Sequence, residues 1–113
     1  MPDDGVVDPH ELKIVTTTEG DVSVVQVAGE LDANSADRLR SAFDEVFAGG
    51  SPTVVADLAG VSFIDSSGLS VLIYAYKQAG ERDGGLTVRS PSDTVKRLLD
   101  MTGQSERFLS VGP

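Results

Sequence analysis

Two hydroxyls stand side by side in the stretch Asp65-Ser66-Ser67-Gly68-Leu69, with a carboxylate before them and a glycine after. The stretch follows a short apolar run and opens a second run with helical spacing. In an open α/β sheet, functional groups gather at that place, beyond the carboxyl end of a strand. Ser66 or Ser67 reads first as a helix N-cap, the usual reason for serine there. A second serine is more than a cap needs. Gly68 in a first helical turn costs roughly 0.5–1 kcal/mol relative to alanine, which points to a close approach to the backbone. A phosphoryl group on one of these hydroxyls would meet backbone N–H groups and the positive end of the helix dipole. Capping and phosphate acceptance are both open on these residues alone.

Other chemistry is poorly supplied. His10 is the only histidine and lies in the acidic amino-terminal stretch, so no Ser-His-Asp triad with its base in the fold and no multi-histidine metal site is expected. There is no cysteine, hence no disulfide framework, thiol nucleophile or cysteine metal site. Glu30 and Asp32 would face one side of an extended segment, but they read as solvated loop acids. Gly49-Gly50 and Gly84-Gly85 lack the G-x-G-x-x-G context of a phosphate-binding loop. Lys96 and Arg97 read as a solvated helix face, Met101 as core filler, Tyr76 as core and Tyr74 as an exposed interface candidate. No cofactor is expected.

The elements that must position Ser66 can be traced along the chain. Residues 1–10, MPDDGVVDPH, have the composition of a poorly ordered, solvated terminus. They contain no basic and apolar pair of regions, so no signal peptide is expected and the default location is the cytoplasm. Leu12, Ile14 and Thr16 alternate as in a half-buried strand. Glu19-Gly20-Asp21 is a turn, and residues 22–28 form a valine-rich strand that closes a hairpin. Gly29-Glu30-Leu31-Asp32 ends that strand.

Asn34 or Ser35 then caps a helix with Asp37 in its first turn. Its apolar stripe is Leu39, Ala42, Phe43, Val46 and Phe47, and Gly49-Gly50 stops it. Thr53-Val54-Val55-Ala56-Asp57-Leu58 suits a strand buried on both faces. The helix after Ser66 buries Leu69, Leu72, Ile73 and Tyr76, widened by Val71 and Ala75, and Gly80 ends it. Residues 86–89 make another strand. Ser90-Pro91 starts a helix with Val95, Leu98 and Leu99 inside and Gly103 just past its end. Phe108-Leu109-Ser110-Val111 adds a last strand. The result is a single α/β domain over residues 11–113. It has a mixed central sheet and three to four helices packed mainly on one face.

Charge narrows the partners. Nine basic against 18 acidic residues give a net charge of −9. That argues against nucleic acid, which needs clustered Lys and Arg, and against anionic membranes. No apolar run approaches the roughly 18 residues of a membrane span.

Across roughly residues 11–111 the sequence resembles the anti-sigma factor antagonists, the single-domain members of the STAS family. The resemblance rests on Gly29-Glu30-Leu31-Asp32, on Asp57-Leu58 leading to Val61-Ser62-Phe63-Ile64-Asp65-Ser66-Ser67-Gly68-Leu69, and on Val95-Lys96-Arg97-Leu98-Leu99-Asp100-Met101-Thr102-Gly103. It implies a non-enzymatic binding module. Its partner would be an anti-sigma factor that is also a serine kinase of ATPase fold. Binding would free a sigma factor, phosphorylation of Ser66 would release the antagonist, and a PP2C-type phosphatase would restore it. The resemblance further implies that Asp65, Ser67, Gly68, Leu69, Gly29, Glu30 and Asp32 contact the partner. The alternative is a STAS subunit of another assembly, such as a stressosome-like scaffold or a lipid-transport complex, without a phospho-switch.

Overall fold

A computed structural model of the chain describes residues 11–109. Eight elements follow in order: β1 (Lys13–Glu19), β2 (Val22–Leu31), α1 (Ala36–Ala48), β3 (Thr53–Ile64), α2 (Ser66–Glu81), β4 (Gly85–Arg89), α3 (Asp93–Met101) and α4 (Ser105–Leu109). The strands form one sheet in the order β1-β2-β3-β4. β1 and β2 are antiparallel, and β2, β3 and β4 run parallel. Gly20 takes the left-handed conformation in the β1–β2 turn, at φ +63°.

One face of the sheet makes the core. Val25 pairs with Ala56 and Ala56 with Val88, so three buried side chains line up across three strands. Leu39, Phe43, Leu72, Val95, Leu99 and Phe108 are fully buried on the helices that complete this core. The other face is different. Val15 and Val22 are exposed, Val24 and Val55 half-buried, and Arg89 reaches Asp57 at 3.0 Å across β3 and β4. The apolar run at 53–58 is therefore not buried on both faces. Val54, Ala56 and Leu58 point into the core, and Thr53, Val55 and Asp57 lie on the half-open side.

Three helix ends share one device. Gly50, Asp83 and Gly103 each sit one residue past a C-cap with positive φ, at +96°, +61° and +72°. In each case the next residue donates its amide back into the last turn: Ser51 to Val46, Gly84 to Ala79 and Gln104 to Leu99. These are Schellman closures. Gly50 and Gly103 stop their helices as the sequence predicts. Gly80 does not. It lies inside α2, and Asp83 takes the left-handed position instead.

Four further expectations need correction. α3 starts at the Ser92 cap rather than at Ser90, whose φ of +52° takes it out of the helix. Residues 105–109 form α4, not a strand, and Ser110 and Val111 lie outside the described residues, as do residues 1–10. Phe108 of this helix is fully buried, with its ring 5.6 Å from that of Tyr76. Met101 is 73% exposed and fills no core. Tyr74 is half-buried and engaged, for its hydroxyl meets Asp44 and the Arg40 guanidinium lies 4.2 Å from its ring, tying α2 to α1.

Candidate functional site

The site is built on an extension of the two central strands. Gly29-Glu30-Leu31 does not end β2 but continues it, and Ser62-Phe63-Ile64 continues β3. Gly29 pairs with Val61 past one register shift, and Glu30 with Phe63 and Leu31 with Ile64 past a second. β3 runs on beyond β4, whose pairing with it stops at Asp57. The Asp65 amide then donates to the Leu31 carbonyl at 3.3 Å and ties the start of α2 to the end of β2.

Asp65 is the N-cap of α2. Its backbone is extended, and Oδ1 accepts the Ser67 amide at 2.8 Å and the Gly68 amide at 3.3 Å. Neither serine is the cap. Ser66 occupies the first helical position with its side chain exposed, and Ser67 is half-buried beside it. The cap also alters the expected setting of a phosphoryl group. The Ser67 and Gly68 amides are already taken by Asp65, so a phosphate on Ser66 would stand in solvent next to a carboxylate.

Asp32 organises the neighbouring loop in a similar way. Its Oδ1 accepts the Asn34 amide at 3.0 Å and the Ser35 amide at 3.1 Å. The Ser35 hydroxyl donates to the Glu30 carbonyl at 2.8 Å. Ser35 holds the N-cap position of α1, but its hydroxyl turns back to this loop and does not cap the helix. Beside the loop lies a shallow groove of about 320 Å³ bordered by Glu11, Glu30, Asp32 and Arg38.

The glycines work inside the fold. A Cβ on Gly68 would lie 2.6 Å from Leu31 Cγ and 2.9 Å from Ile64 Cγ1. The close approach that Gly68 signals in the sequence is therefore that of α2 onto its own strands. Gly29 has a φ of +102°, and a Cβ there would lie 2.3 Å from the Glu11 carbonyl oxygen. Leu69 is buried as well. Of the residues singled out in the sequence, Gly29, Gly68 and Leu69 thus shape the site from below. Glu30, Asp32, Asp65 and Ser67 are half-buried at its surface, and Ser66 is exposed.

Sequence reasoning missed Phe63, which is 45% exposed and pairs with Glu30 two residues before the cap. An exposed aromatic ring is a feature of contact surfaces. The bulge at this point breaks strand alternation, so periodicity alone gives Phe63 no face. Among the described residues there is no cluster of three or more potential metal ligands. Nor is any helix there long and apolar enough to cross a membrane.

A bulged strand pair that delivers Asp-Ser-Ser-Gly to the start of a helix, under a mixed four-stranded sheet, matches a known family. The family model described as the STAS domain aligns with residues 13–112. This chain belongs to the STAS domain family. Its relatives include the anti-sigma F factor antagonist of Paenibacillus polymyxa, 36% identical over 83 residues that cover 73% of this chain and 71% of that protein. The anti-sigma-B factor antagonist of Staphylococcus epidermidis is 34% identical over 92 residues, covering 81% and 85%. Among solved structures, an anti-sigma factor antagonist from Mycobacterium paratuberculosis superposes with a TM-score of 0.74 at 32% identity, over 91% of this chain and 87% of that one. The mixed sheet of this STAS domain, with its helices on the core face, agrees with the fold expected from sequence.

Proposed function

We propose that this STAS domain is an anti-sigma factor antagonist switched at Ser66. The observation that carries this reading is the division of labour between Asp65 and Ser66. The carboxylate caps the helix, and the hydroxyl beside it is exposed and has no part in the cap.

In the unmodified state the partner is an anti-sigma factor with serine kinase activity. It engages the surface made by Ser66, Ser67, Asp65, Phe63, Glu30 and Asp32, and its sigma factor is released. The kinase brings ATP, Mg²⁺ and the base. The Ser66 Oγ attacks the γ-phosphorus, its proton leaves to the kinase base, and ADP departs. The STAS domain is a substrate here and supplies no catalytic group.

The phosphate adds about −1.5 to −2 charges at one point of the contact surface. Because Asp65 already holds the nearby amides, the phosphate gains little from the fold. It is repelled by Asp65 and must be desolvated when a partner closes over it. Release of the partner follows from that local cost. A PP2C-type phosphatase hydrolyses the ester and restores the binding form.

The test is phosphorylation with ATP and the cognate kinase, read by intact mass and site mapping. One phosphate on Ser66, abolished in Ser66→Ala, is the expected result. Phosphate on Ser67, or none with any kinase of the source genome, removes the switch from this reading. The domain would then stand as an interaction subunit of another assembly.

A further inference from the structure

β1 is an outer strand of the sheet. β2 pairs with one of its edges, and among the described residues no strand pairs with the other. Proteins commonly blunt such an edge with proline, bulges, several lysines or a very short strand. β1 has none of these. It is seven residues long, KIVTTTE, with six of them exposed, and its register with β2 is unbroken from Lys13 to Glu19. Ile14, Val15, Thr16, Thr17 and Thr18 are all β-branched, the type that favours strand pairing.

The charges on this strand are also distinctive. The whole chain carries a net charge of −9. β1 carries one lysine at its start and one glutamate at its end, so the edge is a neutral strip on an acidic protein. Lys13, Val15, Thr17 and Glu19 share one face of the strand by alternation.

We infer that β1 pairs with β1 of a second copy of this chain, antiparallel and centred on Thr16. In that register Lys13 lies opposite Glu19 of the other copy, Ile14 opposite Thr18, Val15 opposite Thr17, and Thr16 opposite itself. All seven residues pair, both charges of each strand meet their opposites, and every remaining cross-strand pair is β-branched. A shift of two residues leaves strand ends unpaired and separates the charges. Parallel pairing sets Lys13 beside Lys13 and Glu19 beside Glu19. The arrangement is isologous and closes as a two-fold dimer, joining the sheets of the two copies into one.

Sedimentation of the full chain from micromolar to about 1 mM, a range that reaches weak association, should show mass rising from one chain to two. Lys13→Glu and Glu19→Lys each place like charges opposite one another twice per dimer. Each should weaken dimerisation roughly tenfold. The double variant Lys13→Glu/Glu19→Lys restores opposite pairs and should return dimerisation to near the original level.

The chain has no cysteine, which permits a second readout. Thr16→Cys places two thiols across the two-fold at a Cα separation of about 5 Å, within disulfide reach. Thr18→Cys places them about 14 Å apart, beyond it. Oxidation should cross-link the first variant and not the second. A chain that stays monomeric throughout, a dimer indifferent to charge reversal, or equal cross-linking at both positions overturns the inference.

Discussion

The Asp65 carboxylate accepts the Ser67 amide at 2.8 Å, so the residue before the exposed hydroxyl of Ser66 closes the helix. The cap and the exposed hydroxyl thus fall on adjacent positions: Asp65 holds the start of α2, and Ser66 has no part in that cap.

This separation has a stability signature. Asp65→Ala removes an N-cap and should destabilise the domain by about 1 kcal/mol, lowering Tm by roughly 4–8 °C for a domain of this size. Ser66→Ala and Ser66→Asp remove no hydrogen bond of the cap and should stay within about 0.5 kcal/mol of the original. Ser66→Asp should nevertheless weaken binding to the anti-sigma factor. Thermal unfolding and a titration with the partner check the two halves. A large drop in Tm for Ser66→Ala would make that residue structural.

Gly68→Val tests where the close approach occurs. The new side chain would meet Leu31 and Ile64, both packed in the core with the added atoms nearer than 3 Å. Overpacking of this kind costs about 1–3 kcal/mol. Urea unfolding should therefore show a lower midpoint for Gly68→Val even in the absence of any partner. Unchanged stability together with lost partner binding would return Gly68 to the contact surface.

These two cases show what sequence reading reaches. The alternation of Leu12 and Ile14, the valine-rich β2 and the stripe of Leu39, Phe43, Val46 and Phe47 are local periodicities, and the sheet and helices follow from them. The site is less legible. Gly29 and Gly68 announce a close approach, but a glycine does not say which group approaches. The continuation of β2 and β3 past Ala28 and Leu58 depends on two bulges, which disturb the period-two pattern that marks a strand. That disturbance also conceals Phe63. At the carboxyl end, Phe108-Leu109-Ser110-Val111 is a short apolar run equally compatible with strand or helix. The contact of Phe108 with Tyr76 on α2, remote in sequence, accompanies the helix. Ser35 and Asp65 show the same limit for caps, since the residue type is visible but not the direction in which its side chain turns.

Asp83 bears on the end of α2. It has a φ of +61° at the position where Gly50 and Gly103 serve the other helices. Asp83→Gly removes the strain of a side chain in that conformation, although it frees the unfolded chain as well. The net expectation is a stabilisation of about 0.5–1 kcal/mol, seen as a higher urea midpoint at constant slope. Gly80→Ala should act in the same direction. Gly80 lies inside the helix, and an added Cβ there meets nothing within 4 Å. A loss of stability in Gly80→Ala would mean that the helix needs its flexibility there.

The Asp57–Arg89 pair on the half-open face of the sheet should be visible in acid. Partial burial opposes ionisation of Asp57, but the Arg89 guanidinium at 3.0 Å, the Ala59 amide and the Gln26 side chain outweigh it and hold the carboxyl below its ordinary value of 3.8. A carboxylate with a lowered folded pKa binds its proton more tightly in the unfolded chain. Its contribution to stability is therefore complete above the unfolded pKa and disappears as pH falls through the folded one. Measured from pH 7 downward, the original chain should lose this contribution only below about pH 4, and Asp57→Asn should lack that part of the acid limb. Arg89 is half exposed, so salt should reduce the effect. Acid limbs that coincide for the original and for Asp57→Asn would show that the pair contributes nothing to folding.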